Sequence, residues 1–146
     1  MDDTHEAIVA AATDLIAEVG LPAEFRAGLE VGDDWTFVIK IHALVEAGLT
    51  HALTVHADRE GAKELFANLE LNNKRTGKVA FASVFLRLES EDRRFLRALS
   101  ELRNQLVHDV RNVTFTFAQH FDALNIDQKR NFAKAFGYVR PRTRSR

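Results

Sequence analysis

Residues 101–109 contain the side chains that cleavage of a phosphodiester requires, because Arg103, Asn104 and His108 lie within six consecutive positions. Arginine presents a planar, permanently charged group that matches phosphate oxygens, and histidine accepts and returns a proton near neutral pH. Asparagine can orient either side chain or a substrate. Without a metal, these groups are sufficient to cleave RNA through attack of its own 2′-hydroxyl group. His108 would move the proton, and Arg103 would stabilise the charge that develops around phosphorus.

The spacing of these residues implies a particular geometry on a helix. Asn104 and His108 are four residues apart and share a face, which Arg97 and Arg111 extend into a polar stripe. Arg103 lies about 140° from His108 around the helix, so its long side chain must reach round towards the imidazole. One histidine cannot comfortably act as base and acid at once, which favours a symmetric dimer with two such helices face to face. The same residue types are common on solvated helix faces, so the spacing alone leaves a structural interpretation open.

Hydrophobic periodicity predicts a chain that is helical almost throughout. The strongest signal is a seam in steps of three and four, which predicts one continuous helix through Phe95, Leu99, Leu102, Leu106, Val110 and Val113. Other helices are predicted over residues 5–19, 35–57, 58–69, 74–86, 115–124 and 128–136, with a polar stretch over residues 22–34. Asp58 and Ser90 are expected to cap the helices that follow them. The expected fold class is all-α, an antiparallel helical bundle with additional short C-terminal helices.

Length and composition limit the class of protein. We expect one domain over residues 1–138 and a basic, disordered tail over residues 139–146. Hydrophobic residues make up 46% of the 146 residues and charged residues 28%, a balance typical of soluble globular proteins. The absence of cysteine excludes disulfide scaffolds, thiolate metal sites and cysteine nucleophiles. No apolar run approaches the roughly 18–20 residues that cross a bilayer, and the first residues are acidic where a secretory signal is basic. A cytoplasmic protein without membrane contact is therefore expected.

The net charge of −1 conceals two halves of opposite charge. Residues 1–68 contain 4 Lys and Arg against 13 Asp and Glu, which gives −9. Residues 69–146 contain 16 Lys and Arg against 8 Asp and Glu, which gives +8. This division predicts either charge complementarity within the fold or a basic face for an anionic partner.

The other histidines form no recognisable metal-ligand pattern in the sequence. They are His5, His42, His51, His56 and His120. His42 and Glu46 share a helix face, four residues apart, without forming an H-E-x-x-H arrangement. The glycines are scattered rather than gathered into a phosphate-binding loop, and there is no G-x-S-x-G nucleophile elbow. Neither a metal nor a cofactor is expected.

The motif R-N-x-x-x-H near the middle of a late helix in a small all-α domain resembles the signature of the HEPN superfamily, and here it runs from Arg103 to His108. The surrounding residues are similar to HEPN proteins of the mannitol-operon-repressor (MltR-like) type. In those proteins a K-[IV]-x-x-A helix leads through an acidic loop to L-x-x-[IL]-R-N-x-[LF]-x-H, which matches residues 78–82 and 99–108. Residues 44–49 resemble the preceding L-x-E-x-x-L helix, so the resemblance spans residues 35–112.

This resemblance implies a helical bundle that is commonly homodimeric, with the motifs near a shared cleft. Many HEPN proteins are metal-independent RNases that act as toxins or in phage defence, often neutralised by a partner encoded nearby. Carried over, Arg103 and His108 are catalytic and Asn104 supports them. The candidate supporting residues are Glu46, Asp109, Arg97 and Arg111.

Two other interpretations remain open. Some repressor-like relatives lack the complete motif and act as interaction or regulatory modules, whereas the complete motif of this chain favours catalysis. A domain that binds nucleic acid through its basic half without cleaving it is the third interpretation.

Overall fold

The computed structural model describes residue 10 and residues 13–137, and every regular element in this part of the chain is a helix. The elements are α1 (residues 13–18), α2 (Glu24–Val31), α3 (Asp34–Ala57), α4 (Ala62–Ala67), α5 (Lys78–Phe85), α6 (Ser90–His108), a 3-10 helix (Val110–Thr114), α7 (Phe117–Asp122) and α8 (Ile126–Phe136). The expectation of an all-α bundle is confirmed. Most of the predicted first helix before residue 13 and the predicted basic tail lie outside the described residues.

Helix α3 is the central element of the bundle, because it packs against α2, α4, α5 and α6. Asp33 caps its first turn by accepting a hydrogen bond from the backbone N–H of Thr36 at 2.7 Å. Val38 and Leu53, both 1% exposed, are among its buried side chains. Among the described helices, α3 alone is long and apolar enough to cross a membrane by length and composition, a property that the sequence had not suggested. The core helix of a bundle meets the same criterion, and α3 occupies that position here.

Helix α6 lies against α3 and supplies four of the twelve buried hydrophobic residues of the described chain. Leu99, Leu102 and Leu106 pack with Val38, and the backbone carbonyl of Leu106 accepts a hydrogen bond from Trp35 Nε1 at 3.2 Å. Because one face of α6 is fixed in this way, the polar residues between the leucines face outward in a defined direction.

The end of α6 differs from the sequence prediction. The helix stops at His108 because Asp109 has an extended backbone and its carboxylate accepts a hydrogen bond from the backbone N–H of Arg111 at 2.9 Å. The chain then forms the 3-10 helix, in which Val110 is 79% and Val113 is 45% exposed. The prediction of one continuous helix through residue 113 is therefore wrong. The R-N-x-x-x-H motif occupies the C-terminal end of its helix instead of its middle.

Several other helix boundaries also differ from the sequence prediction. The stretch over residues 22–34 contains α2. Asp58 ends α3 in a left-handed conformation (φ 50°) and does not begin the next helix. Helix α5 starts at residue 78 because the side chain of Asn73 closes a turn by accepting hydrogen bonds from the backbone N–H groups of residues 75 and 76. Ser90 is the first residue of α6, and Glu89 is its cap.

Candidate active site

The C-terminal third of α6 places two of the three motif residues at one pocket. Arg103 is partly buried and Asn104 is exposed, and Arg103 Nη1 donates a hydrogen bond to Asn104 Oδ1 at 3.1 Å. Both residues line a pocket of about 350 Å³ between α3, α6 and the loop before α5. The other lining residues are His42, Glu46, Glu70, Leu71, Asn72 and Ser100. The pocket is therefore walled mainly by polar side chains.

Glu46, which lines this pocket, contacts a histidine of the same lining and a buried lysine outside it. The carboxylate of Glu46 lies 3.8 Å from His42 Nδ1 and 3.7 Å from Lys78 Nζ. Lys78, the first residue of α5, is only 4% exposed, whereas the side chain of Glu46 is 34% exposed. Burial of an ammonium group is tolerated when an anion lies close by. Glu46 therefore compensates Lys78 and also faces His42.

The environment of His42 favours its neutral form. Burial lowers the pKa of His42 most strongly, and the positive charges of Arg103 and Lys78 lower it further. The carboxylate of Glu46 acts in the opposite direction without reversing the shift. His42 is thus a neutral imidazole at pH 7 beside the guanidinium of Arg103, a state in which it can accept a proton or a hydrogen bond.

His108 lies apart from this pocket. It is the last residue of α6 and is exposed, and its side chain has no hydrogen bond, ion pair or ring contact with another described residue. Arg103 makes its side-chain hydrogen bond to Asn104 instead of reaching round the helix to the imidazole. Within one copy of the chain, the structure therefore brings Arg103 and Asn104 together but does not join His108 to them.

Asp109 and Arg111 bind each other immediately after His108. Arg111 Nε donates to both carboxylate oxygens of Asp109 at 3.1 and 3.0 Å, and Nη2 lies 2.6 Å from Oδ2. These hydrogen bonds hold the pKa of Asp109 below its usual value. The pair stabilises the sharp end of α6, and neither residue lines the pocket.

Arg97 faces a different surface. Together with Glu101 it lines a separate, larger cleft on the side of α6 next to α5 and α8. The polar stripe that the sequence suggested is therefore divided between two surfaces. Of the four candidate supporting residues, Glu46 alone lies at the pocket of Arg103.

The sequence had not identified all of the residues that form this site. His42 and Glu46 were recognised as neighbours on one helix face, but Lys78 was noted only as part of the family pattern. One available signal was the presence of this lysine at the start of the otherwise uncharged α5, since a lysine that such a helix buries is almost always paired with an anion. Ser100, Glu70 and Asn72 had no comparable signal, because a loop brings the last two to the pocket.

No group of three or more His, Asp or Glu side chains suited to a metal ion occurs among residues 10 and 13–137. Comparison with protein-family models, with curated proteins and with solved structures finds no significant match to this chain.

Proposed function

We propose that this chain is a metal-independent endoribonuclease of the HEPN type, with Arg103, Asn104 and His108 as its catalytic set. The observation that carries the proposal is the state of Arg103, which is partly exposed at a polar pocket and oriented by Asn104. None of the salt bridges between described residues involves Arg103. Its guanidinium is therefore available for a phosphate, the group that its geometry matches best.

The proposed reaction uses the substrate's own hydroxyl group as nucleophile. The 2′-oxygen bonds to phosphorus while the bond from phosphorus to the 5′-oxygen breaks, which leaves a 2′,3′-cyclic phosphate and a free 5′-hydroxyl. One His108 takes the proton of the 2′-hydroxyl, and a second imidazole protonates the leaving oxygen. Arg103 stabilises the negative charge of the transition state.

A homodimer would supply the second imidazole, and the surface around His108 supports this part of the proposal. Val107, Val110 and Val113 flank His108 in sequence and are 43%, 79% and 45% exposed. Exposed apolar side chains that lie close together are typical of protein interfaces. In this proposal the enzyme acts in the cytoplasm as a toxin or phage-defence effector, and a partner protein restrains it.

The same apolar residues favour a second candidate function. A catalytically silent MltR-like module would use such a surface to bind a protein partner or to regulate transcription. This candidate predicts that the motif residues have no effect on RNA.

Incubation of purified protein with single-stranded and hairpin RNA in excess EDTA tests the proposal. We expect cleavage that yields 2′,3′-cyclic phosphate ends. His108→Ala should reduce the rate about 10²- to 10⁴-fold, as is usual for loss of a general acid or base. Arg103→Ala should reduce it about 10²- to 10³-fold, and Arg103→Lys should restore little, because lysine lacks the planar fork.

A matched control makes the result specific. Arg59 is an exposed arginine outside the pocket. Arg59→Ala should therefore cleave at the wild-type rate. If cleavage survives His108→Ala but not His42→Gln, the pocket imidazole moves the proton and the role of His108 is wrong. Absence of chelator-resistant cleavage by the wild-type protein leaves the silent module.

A further inference from the structure

A second surface of the molecule, separate from the pocket of Arg103, is open and strongly basic. It is a cleft of about 1140 Å³ bounded by α6, by α5 with the loop before it, and by α8. Six cationic residues line this cleft: Lys74, Arg75, Arg93, Arg94, Arg97 and Lys134. Glu101 is the acidic residue of its lining.

None of the salt bridges that join described residues involves any of the six cations of this cleft. Arg93 Nη1 donates to the backbone carbonyl of Leu88 at 3.4 Å, a contact with a neutral group. Six cations around one concave surface concentrate the field and attract a polyanion.

Aromatic rings lie beside these charges. Phe81 and Phe85 of α5 both line the cleft, and their rings are stacked with centroids 6.2 Å apart. Phe85 is 45% exposed, and its neighbour Val84 in the cleft is 74% exposed. The centroid of the Phe85 ring also lies 5.4 Å from that of His56. Aromatic side chains next to cations are the combination with which proteins bind unpaired bases and their phosphates. An acidic protein partner would use the cations but would not require the rings.

The cleft follows α6 from Ser90 to Glu101, a distance of about 16 Å at 1.5 Å per residue. Along the helix it ends two residues before Arg103, which lies on the other side of α6, about 200° from Glu101. His108 follows Glu101 by seven residues, about two turns, and so lies on the side of α6 that the cleft occupies. A strand that leaves the cleft along α6 therefore approaches His108.

We infer that this cleft is a binding track for single-stranded RNA, in which the six cations hold phosphates and Phe85 stacks on a base. The choice of RNA over other single strands rests on the proposed ribonuclease function, whereas binding itself does not depend on cleavage. A probe that resists cleavage consequently separates the two proposals.

The test is fluorescence anisotropy with a labelled 12-nucleotide strand whose riboses carry 2′-O-methyl groups. Each phosphate that is neutralised on a single strand contributes about −0.7 to the slope of log K against log salt concentration, so six contacts give a slope of at most about −4. Arg94→Gln/Arg97→Gln should reduce the magnitude of the slope by about 1.4 and weaken binding at least about tenfold at 50 mM salt. Arg59→Gln/Lys63→Gln changes the net charge equally outside the cleft and should leave both quantities unchanged.

Substitution of the Phe85 ring distinguishes a track that stacks bases from a surface that binds by charge alone. Phe85→Leu should weaken binding of the strand about fivefold or more without changing the salt slope, because stacking is lost while the charges remain. A perfectly paired duplex of the same sequence should bind more weakly than the strand and should not respond to Phe85→Leu.

Three outcomes would overturn the inference. They are equal losses in the cleft variant and the charge-matched control, tighter binding of the duplex than of the strand, and a loss of self-association rather than of RNA binding in the cleft variants. The last outcome would assign the cleft to a second copy of the chain. If the strand binds as expected but natural RNA is not cut, the track stands and the ribonuclease proposal fails.

Discussion

His42 is a buried imidazole whose protonation the fold opposes. Burial and the nearby charges of Arg103 and Lys78 lower its pKa below the ordinary value of 6.5. Burial also lowers the pKa of His120, whose ring lies between those of Phe115 and Phe132. Below pH 6.5 the unfolded chain binds more protons at these positions than the folded chain does. The contribution of these two histidines to the free energy of unfolding is therefore fully present above pH 6.5 and is lost as the pH falls below that value.

The free energy of unfolding of the wild-type protein should depend on pH in this range, and His42→Gln should reduce that dependence. Between pH 7.5 and pH 5, the difference in free energy of unfolding between wild-type protein and His42→Gln should shrink, as measured by urea denaturation at each pH. His56→Gln replaces an exposed histidine and should keep the wild-type slope. A wild-type profile parallel to that of His42→Gln would contradict the assigned cause.

The charges of Lys78 and Glu46, which form a salt bridge, are not equivalent. Lys78 is 4% exposed, whereas the side chain of Glu46 is 34% exposed and remains in contact with water. Removal of one partner of a buried ion pair is costly because the other charge remains uncompensated, and the cost is reduced when that charge is hydrated. The cost of losing either partner should therefore depend on which charge is left behind.

We expect Glu46→Gln to destabilise the protein by about 2 kcal/mol or more, because it leaves the buried ammonium without its anion. Lys78→Met keeps the volume of the lysine stem and should cost less than about 1 kcal/mol. Urea unfolding at pH 7.5 measures both variants. Equal costs, or a larger cost for Lys78→Met, would mean that Glu46 does not stabilise Lys78 in the folded protein.

At the scale of elements, the start of α5 determines where Lys78 is placed. Gly77 precedes the helix and packs against backbone, because a Cβ atom built on it lies 2.5 Å from the nitrogen and 2.6 Å from the oxygen of Asn73. Backbone atoms cannot yield as the end of a flexible side chain does. The turn closed by Asn73 therefore requires glycine at this position.

Gly77→Ala should destabilise the protein by about 3 kcal/mol, as overpacking against rigid groups does. This loss lowers the melting temperature by about 10 °C for a domain of this size. Gly61→Ala is the matched control, since no atom lies within 4 Å of the corresponding Cβ position and Gly61 has a helical backbone. Thermal unfolding followed by circular dichroism compares the two. A neutral Gly77→Ala would show that the turn before α5 can move without loss.

The elements that the sequence predicts best are those that bury a long apolar stripe. Helices α3 and α6 have such stripes; α3 lies close to its expected bounds, and α6 begins close to its expected start. The extension of α6 beyond His108 failed because one polar side chain, Asp109, accepts a backbone hydrogen bond and ends the helix. Helix α2 was missed because it contains no buried residue, so the sequence shows no buried apolar stripe there.

The candidate site was predictable only in part, because contacts between separate elements complete it. Periodicity along α6 places Arg103 beside its buried leucines, but it does not reveal what faces the guanidinium from another element. Burial of His42 against Arg103 is a tertiary fact, and so is the convergence of Glu70 and Asn72 from a loop. Local spacing instead favoured Arg97 and Arg111, which the fold directs to other surfaces.

At the scale of the whole molecule, the two charged halves do not neutralise each other through direct contacts. Of the four salt bridges that join Lys or Arg to Asp or Glu among the described residues, one joins the halves, that of Lys78 with Glu46. Each of the other three lies within a single half. Charge complementarity inside the fold therefore accounts for little of the asymmetry, which leaves the basic half available to an anionic partner.

The apolar surface next to His108 provides the last prediction, which concerns assembly. If Val107, Val110 and Val113 form the contact between two copies, Val110→Glu introduces a charge into that contact and should convert a dimer into a monomer. RNA cleavage should then fall together with dimer content, because each copy lacks the second imidazole. Val31→Glu introduces the same charge at a side chain 83% exposed on α2 and should alter neither property. Sedimentation velocity across a concentration series measures the assembly. A monomeric wild-type protein that still cleaves RNA would show that one copy contains every group the reaction needs.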